Sequence, residues 1–249
     1  MPAAVELIDV AFSYPGHAPT LTGVRLVVRE GEFLAVAGPN GGGKSTLLRL
    51  MLGLERPSSG AALLYGEPAH RASVRPRVGY LPQRARVGIG APVTVHELVT
   101  AGRAAVERPF GPLSAAGRQR VEAAVEEVGL SSVARRPVAQ LSGGQQQRAF
   151  LAKLLAADPR LIALDEPTTG VDVDAQERLA ELLCELHSRH GVTILYVSHE
   201  FGAIEGHVQR LVLVRGGIVF DGPIGQLPQV WHDPSHHHGR EGSHACPSS

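Results

Sequence analysis

Phe33-Leu34-Ala35-Val36-Ala37-Gly38-Pro39-Asn40-Gly41-Gly42-Gly43-Lys44-Ser45-Thr46 is the stretch that decides the fold. An unbroken apolar run of strand length reads as a strand buried on both faces, and Leu47, Leu48, Leu50, Met51 and Leu52 after the glycines read as a helix packed on a sheet. Between them, Gly38 to Ser45 satisfies the G-x-x-x-x-G-K-[ST] pattern in its required strand, loop and helix context. Glycines let successive backbone N–H groups close around a β-phosphate, Lys44 reaches the β- and γ-phosphates, and Ser45 offers a hydroxyl to Mg²⁺. Gly38, Pro39, Asn40, Gly41, Gly42, Gly43 and Thr46 are the remaining candidate nucleotide contacts of this loop. The chain has 22 arginines and only two lysines, Lys44 and Lys153. A compact ammonium fits between phosphates where a planar guanidinium does not, which singles out Lys44.

Outward from the loop, Val5 and Leu7 and then Val24, Leu26 and Val28 alternate as antiparallel strands feeding the buried strand. From about 94 to 156 the apolar spacing becomes helical, and a mostly helical subdomain is expected over about 84–155. Beyond it, Leu161 to Leu164 and Val192 to Val197 read as buried strands, with a helix bearing Leu179, Leu182, Leu183 and Leu186 between them. Asp174 and Glu177 are the expected capping pair of that helix. Leu211 to Val214 and Ile218 to Phe220 read as a hairpin around Gly216-Gly217. Alternating strands and helices predict an α/β fold with a parallel central sheet, an N-terminal antiparallel β subdomain and a helical subdomain, all within residues 1–229.

Leu161-Ile162-Ala163-Leu164-Asp165-Glu166 ends an apolar strand in two carboxylates, at the sheet edge where α/β proteins bind ligands. Beside a phosphate loop, Asp165 holds the Mg²⁺ shell and Glu166 orients and deprotonates an attacking water; alone the pair reads as a solvated turn before Pro167. His199 follows a strand to the same edge, either as a γ-phosphate contact or as a structural histidine. Gln83 stands where the sheet gives way to the helical region and is placed to touch both it and Mg²⁺. Tyr14 either stacks on adenine or ends a strand as an ordinary aromatic. Leu141-Ser142-Gly143-Gly144-Gln145 opens a helix with free backbone N–H groups, a hydroxyl and the positive end of the helix dipole, a second place for an anion.

Phosphate loop, Gln83, Leu141 to Gln145, Leu161 to Glu166 and His199, in this order over about residues 3 to 228, resemble the ATP-binding subunit of an ABC transporter. The resemblance implies an ATPase whose two copies stack head to tail, with each ATP between one copy's phosphate loop and the other's Ser142 to Gln145. It places Ser142 and Gly144 on the partner's ATP and Asp172 across the dimer interface. One motif set implies an obligate pair, and a separate transmembrane permease, served indirectly by a substrate-binding protein. Val78 to Arg84, Pro92 to Val99 and Gly170 to Asp172 resemble the zinc or manganese importers most, ahead of iron-chelate or cobalamin importers. A non-transport ABC ATPase fits less well, because long coiled coil and basic excess are missing, and a P-loop kinase or GTPase leaves Leu141 to Gln145 unexplained.

Composition agrees. Hydrophobic residues make up 43% of 249, ample for a buried core, and 24 basic residues balance 24 acidic ones, so no global field recruits nucleic acid. No opening segment reads as a signal peptide, and no apolar run reaches the roughly 18 residues of a membrane span. The expected location is cytoplasmic, on the inner face of the membrane through the permease. Residues 230–249 read as a flexible tail in which His232, His236, His237, His238, His244 and Cys246 form a candidate Zn²⁺ site, or else a polar tail without a role.

Overall fold

A computed structural model describes residues 1–83, 92–107, 111–169, 171–199 and 201–226. The N-terminal half carries β1 (Ala3–Phe12), β2 (Leu21–Arg29), β3 (Phe33–Ala37), α1 (Lys44–Met51), β4 (Ser59–Leu64), β5 (Glu67–Pro68) and β6 (Val78–Leu81). Three helices follow, α2 (Val95–Glu107), α3 (Ala115–Glu127) and α4 (Gly143–Ala156). The chain then continues through β7 (Leu161–Asp165), α5 (Val173–His190), β8 (Thr193–Val197), β9 (Arg210–Val214) and β10 (Ile218–Gly222).

Two sheets result. One is antiparallel in the order β2-β1-β4-β5; the other runs β10-β9-β3-β8-β7-β6 and is parallel except at β10, which returns from β9 as the expected hairpin. Strands β3, β7 and β8 are buried at every residue, and the pleat divides their side chains between two cores. Phe33, Ala35 and Ala37 face one core with Ile162, Leu164 and the apolar stripes of α2 to α5. Leu34 and Val36 face the other, where Leu47, Leu48, Leu50 and Met51 of α1 pack beneath the antiparallel sheet. The sequence periodicity explains the helices on the first side: Val95, Leu98, Val99 and Gly102 of α2, and Gly117, Val121, Ala124 and Val125 of α3, are each one helical stripe.

The cap of α5 departs from expectation. Asp172, not Asp174, is its N-cap: the backbone there is extended (φ −66°, ψ 159°) and the carboxylate accepts the Ala175 N–H at 2.9 Å. Asp174 falls inside the first turn, where a carboxylate is favoured by the helix dipole and needs no cap geometry. Among the described residues no helix is long and apolar enough to cross a membrane.

Candidate functional site

Strands β3, β7 and β8 run in parallel register, so Ala37, Asp165 and Val197 end at one edge and everything that follows them converges there. After β3 the chain must turn sharply into α1. Gly38 does this at φ 144°, and a Cβ there would lie 2.2 Å from the Val214 carbonyl oxygen, so no other residue fits. Helix α1 begins after Gly43 with no side-chain cap, leaving its first N–H groups directed into the loop. Lys44 is 5% exposed and donates to the Gly38 and Pro39 carbonyls at 2.9 and 3.2 Å, which holds the ammonium over the loop.

Asp165 ends β7 almost fully buried, and the Ser45 hydroxyl donates to its Oδ1 at 3.0 Å. Burial pushes its carboxyl up, the Glu166 charge adds to this, and the Ser45 hydrogen bond opposes it. A buried carboxylate with the Ser45 hydroxyl beside it is a hard-oxygen donor set, and it fits Mg²⁺. Glu166 leaves the strand in the left-handed region (φ 47°), its N–H tied to the Val197 carbonyl at 2.8 Å. That turn aims its carboxylate at three groups: Gln83 Nε2 donates at 2.6 Å, Lys44 Nζ lies at 3.9 Å and His199 Nδ1 at 3.6 Å. The Thr169 hydroxyl donates to the same carboxylate at 3.5 Å. Residues 44, 83, 166 and 199, scattered in sequence, therefore form one cluster.

Tyr14 sits just past β1, edge-on to Phe12 with ring centroids 4.8 Å apart, and its hydroxyl meets the Thr46 hydroxyl at 3.4 Å. Among the described residues, no hydrogen bond or ion pair of Lys44, Gln83 or Glu166 goes to Ser142 to Gln145. Ser142 caps α4, accepting the Gln145 N–H at 3.3 Å while Gln145 Oε1 accepts the Ser142 N–H at 3.1 Å. Gly144 lies against α5, where a Cβ would come within 2.7 Å of Ala175 Cβ, and Gln147 donates to the Pro167 carbonyl. The segment is thus fixed on α4 with Ser142 and Gly143 exposed, and Gln147 links it to the turn after Glu166. Sequence reasoning did not single out Tyr80, which donates to Asp165 Oδ2 at 3.4 Å, or Arg49 beside it. The usable signals were the two-residue strand period that puts Tyr80 opposite Ala163, and the four-residue helix spacing from Ser45 to Arg49. Among the described residues no group of three or more His, Cys, Asp or Glu is arranged around a metal, and the candidate tail site, His232, His236, His237, His238, His244 and Cys246, lies outside the described residues.

A glycine loop at a strand-to-helix turn, a buried Asp at the end of the adjacent strand and a Glu directed back at the loop lysine define an ATP-binding, ATP-hydrolysing P-loop protein. Residues 21–169 match the ABC transporter family, and the chain belongs to it. The zinc uptake system ATP-binding protein ZurA of Listeria innocua is 34% identical over 88% of this chain and 85% of its own length. The manganese transport system ATP-binding protein MntB of Halalkalibacterium halodurans is 33% identical, covering 91% and 89%. Among solved structures, the ATP-binding cassette MJ0796, a dimer in a post-hydrolysis state bound to ADP and Pi, superposes with a TM-score of 0.76 at 27% identity over 88% of this chain and 98% of that one.

Proposed function

We propose that this ATPase subunit works as a head-to-tail pair of copies closing on two ATP, and that the pair drives a separate membrane permease importing Zn²⁺ or Mn²⁺. The observation that carries the catalytic part is the convergence of Lys44, Gln83 and His199 on the Glu166 carboxylate. Backbone N–H groups from Asn40 to Thr46 and the Lys44 ammonium bind the phosphates in a loop shaped by Gly38 and Pro39, and Tyr14 carries the adenine. Ser45, Asp165 and Gln83 would hold Mg²⁺, which would supply charge neutralisation at the phosphates. Glu166 accepts a proton from the attacking water, Gln83 fixes the carboxylate's second oxygen, and His199 contacts the γ-phosphate.

Ser142, Gly143, Gly144 and Gln145 meet the partner copy's ATP, a reading supported by the exposure of Ser142 and Gly143 at the start of α4; Asp172, the N-cap of α5, lies across the dimer interface. The zinc and manganese names of ZurA and MntB support the cargo, and His232, His236, His237, His238, His244 and Cys246 supply soft and borderline ligands that suit Zn²⁺. Gln83 links the Mg²⁺ site to the helical region about 84–155, and the subunit sits on the inner face of the membrane through the permease.

Glu166→Gln tests the chemistry: turnover is abolished while ATP remains bound, and near-normal phosphate release removes Glu166 from its role. Copurification of the chain from solubilised membranes, followed by identification of its permease and ⁶⁵Zn or ⁵⁴Mn uptake by that pair, tests the cargo. Uptake of neither metal overturns it.

A further inference from the structure

Asp165 has two carboxylate oxygens, and the structure gives each its own donor. In the parallel register of β6 and β7, Tyr80 lies opposite Ala163, and Asp165 follows two residues later on the same face of the pleat. That face looks onto α1, where Ser45 and Arg49, four residues apart, share one side of the helix. The Ser45 hydroxyl donates to Oδ1 at 3.0 Å and the Tyr80 hydroxyl to Oδ2 at 3.4 Å. The Arg49 guanidinium lies near enough to Tyr80 and Tyr14 to interact electrostatically with both, and the Tyr14 hydroxyl meets Thr46 at 3.4 Å. A carboxylate's terminal torsion is intrinsically broad, so a donor on one oxygen is what sets the direction of the other.

We propose that Tyr80, with the Arg49 charge beside it, is a positioning residue: it occupies Oδ2 of Asp165 and so presents Oδ1, with the Ser45 hydroxyl, to the Mg²⁺ that accompanies ATP. The inference rests on the reading of Asp165 as the Mg²⁺-facing group.

The test is the ratio of ATP affinity in Mg²⁺ to ATP affinity in EDTA, measured by calorimetry on the full chain and on Tyr80→Phe, Arg49→Gln and Asp165→Asn. Tyr80→Phe keeps the ring packed on the same core and removes only the hydroxyl; the ratio falls about five- to tenfold, the size of one ordinary lost hydrogen bond. Arg49→Gln lowers it in the same direction by a smaller factor, and Arg49→Lys recovers part of the loss. Melting curves on the same samples identify a folding defect, in which case Arg49→Gln and Arg49→Lys decide alone. If Asp165→Asn collapses the ratio while Tyr80→Phe and Arg49→Gln stay within twofold of the parent, the positioning role is overturned and the reading of Asp165 stands. A ratio unchanged in Asp165→Asn overturns that reading itself. Equal losses of affinity with and without Mg²⁺ in Tyr80→Phe also overturn the proposal, since a merely structural residue acts on both.

Discussion

Glu166 is the residue on which local strain and chemistry meet. It holds φ 47°, a conformation that costs an L-residue with a Cβ about 1–2 kcal/mol, and its N–H bond to Val197 keeps it there. The turn is what points the carboxylate back toward Lys44 and away from the axis of β7. Glu166→Ala and Glu166→Gly both lose the side-chain contacts, so the difference between them isolates the backbone. Glu166→Gly is therefore expected to be more stable than Glu166→Ala by about 1 kcal/mol in thermal or urea unfolding; a less stable glycine variant shows that the left-handed turn is not strained. Lys44 is the complementary case. Its ammonium is buried and held by the Gly38 and Pro39 carbonyls, with Glu166 beyond them. Lys44→Ala is expected to abolish measurable ATP binding in calorimetry, and a variant that retains tight binding removes Lys44 from the phosphate site.

At the scale of elements, α2 and α3 are joined through charge as well as packing. Glu107, the last residue of α2, accepts from Arg103 at 2.8 Å and from the Ser114 N–H at 2.8 Å, where α3 is about to begin. Hydrogen bonding from Ser114 and then from Arg103 holds its carboxyl down at about 2, against an ordinary 4.5. A depressed carboxylate stabilises the fold above its ordinary range, so this contribution is complete above about pH 4.5 and is lost as the pH falls toward 2. Glu107→Gln is expected to flatten the fall in melting temperature across that interval relative to the parent; parallel curves contradict the assignment.

Sequence reading reached these elements unevenly, for physical reasons. Periodicity located α2, α3 and the all-buried strands because burial on one or both faces is written directly into apolar spacing. The cap of α5 was misplaced by two residues: Asp172 and Asp174 are both plausible caps by type, and only the extended backbone at Asp172 decides between them. The phosphate loop and the Asp165-Glu166 pair were legible because each needs adjacent residues in fixed order. Tyr80 and Arg49 were not, since their relation to Asp165 exists only once β6, β7 and α1 are laid side by side.

At the scale of the whole molecule, two helix starts among the described residues bear on the pairing of copies. One, at Gly43, opens into the Glu166 cluster; the other, at Ser142, is exposed on α4 and anchored through Gly144 and Gln147 to α5 and the turn after Glu166. The account makes each chain half of two ATP sites, so that closing the pair brings Ser142 of one copy to the phosphate loop of the other. The dimeric MJ0796 cassette, with its ADP and Pi, is a structural relative in which pairing is seen. Charge balance within the chain leaves no net field to oppose the pairing of identical copies. The most direct measurement is sedimentation velocity of Glu166→Gln with saturating ATP and Mg²⁺, alone and combined with Ser142→Arg. The account predicts that the 26.3 kDa chain becomes a pair retaining two ATP, and that Ser142→Arg returns it to single chains that still bind ATP. A Glu166→Gln chain that stays single under saturating ATP, or a pair indifferent to Ser142→Arg, contradicts it.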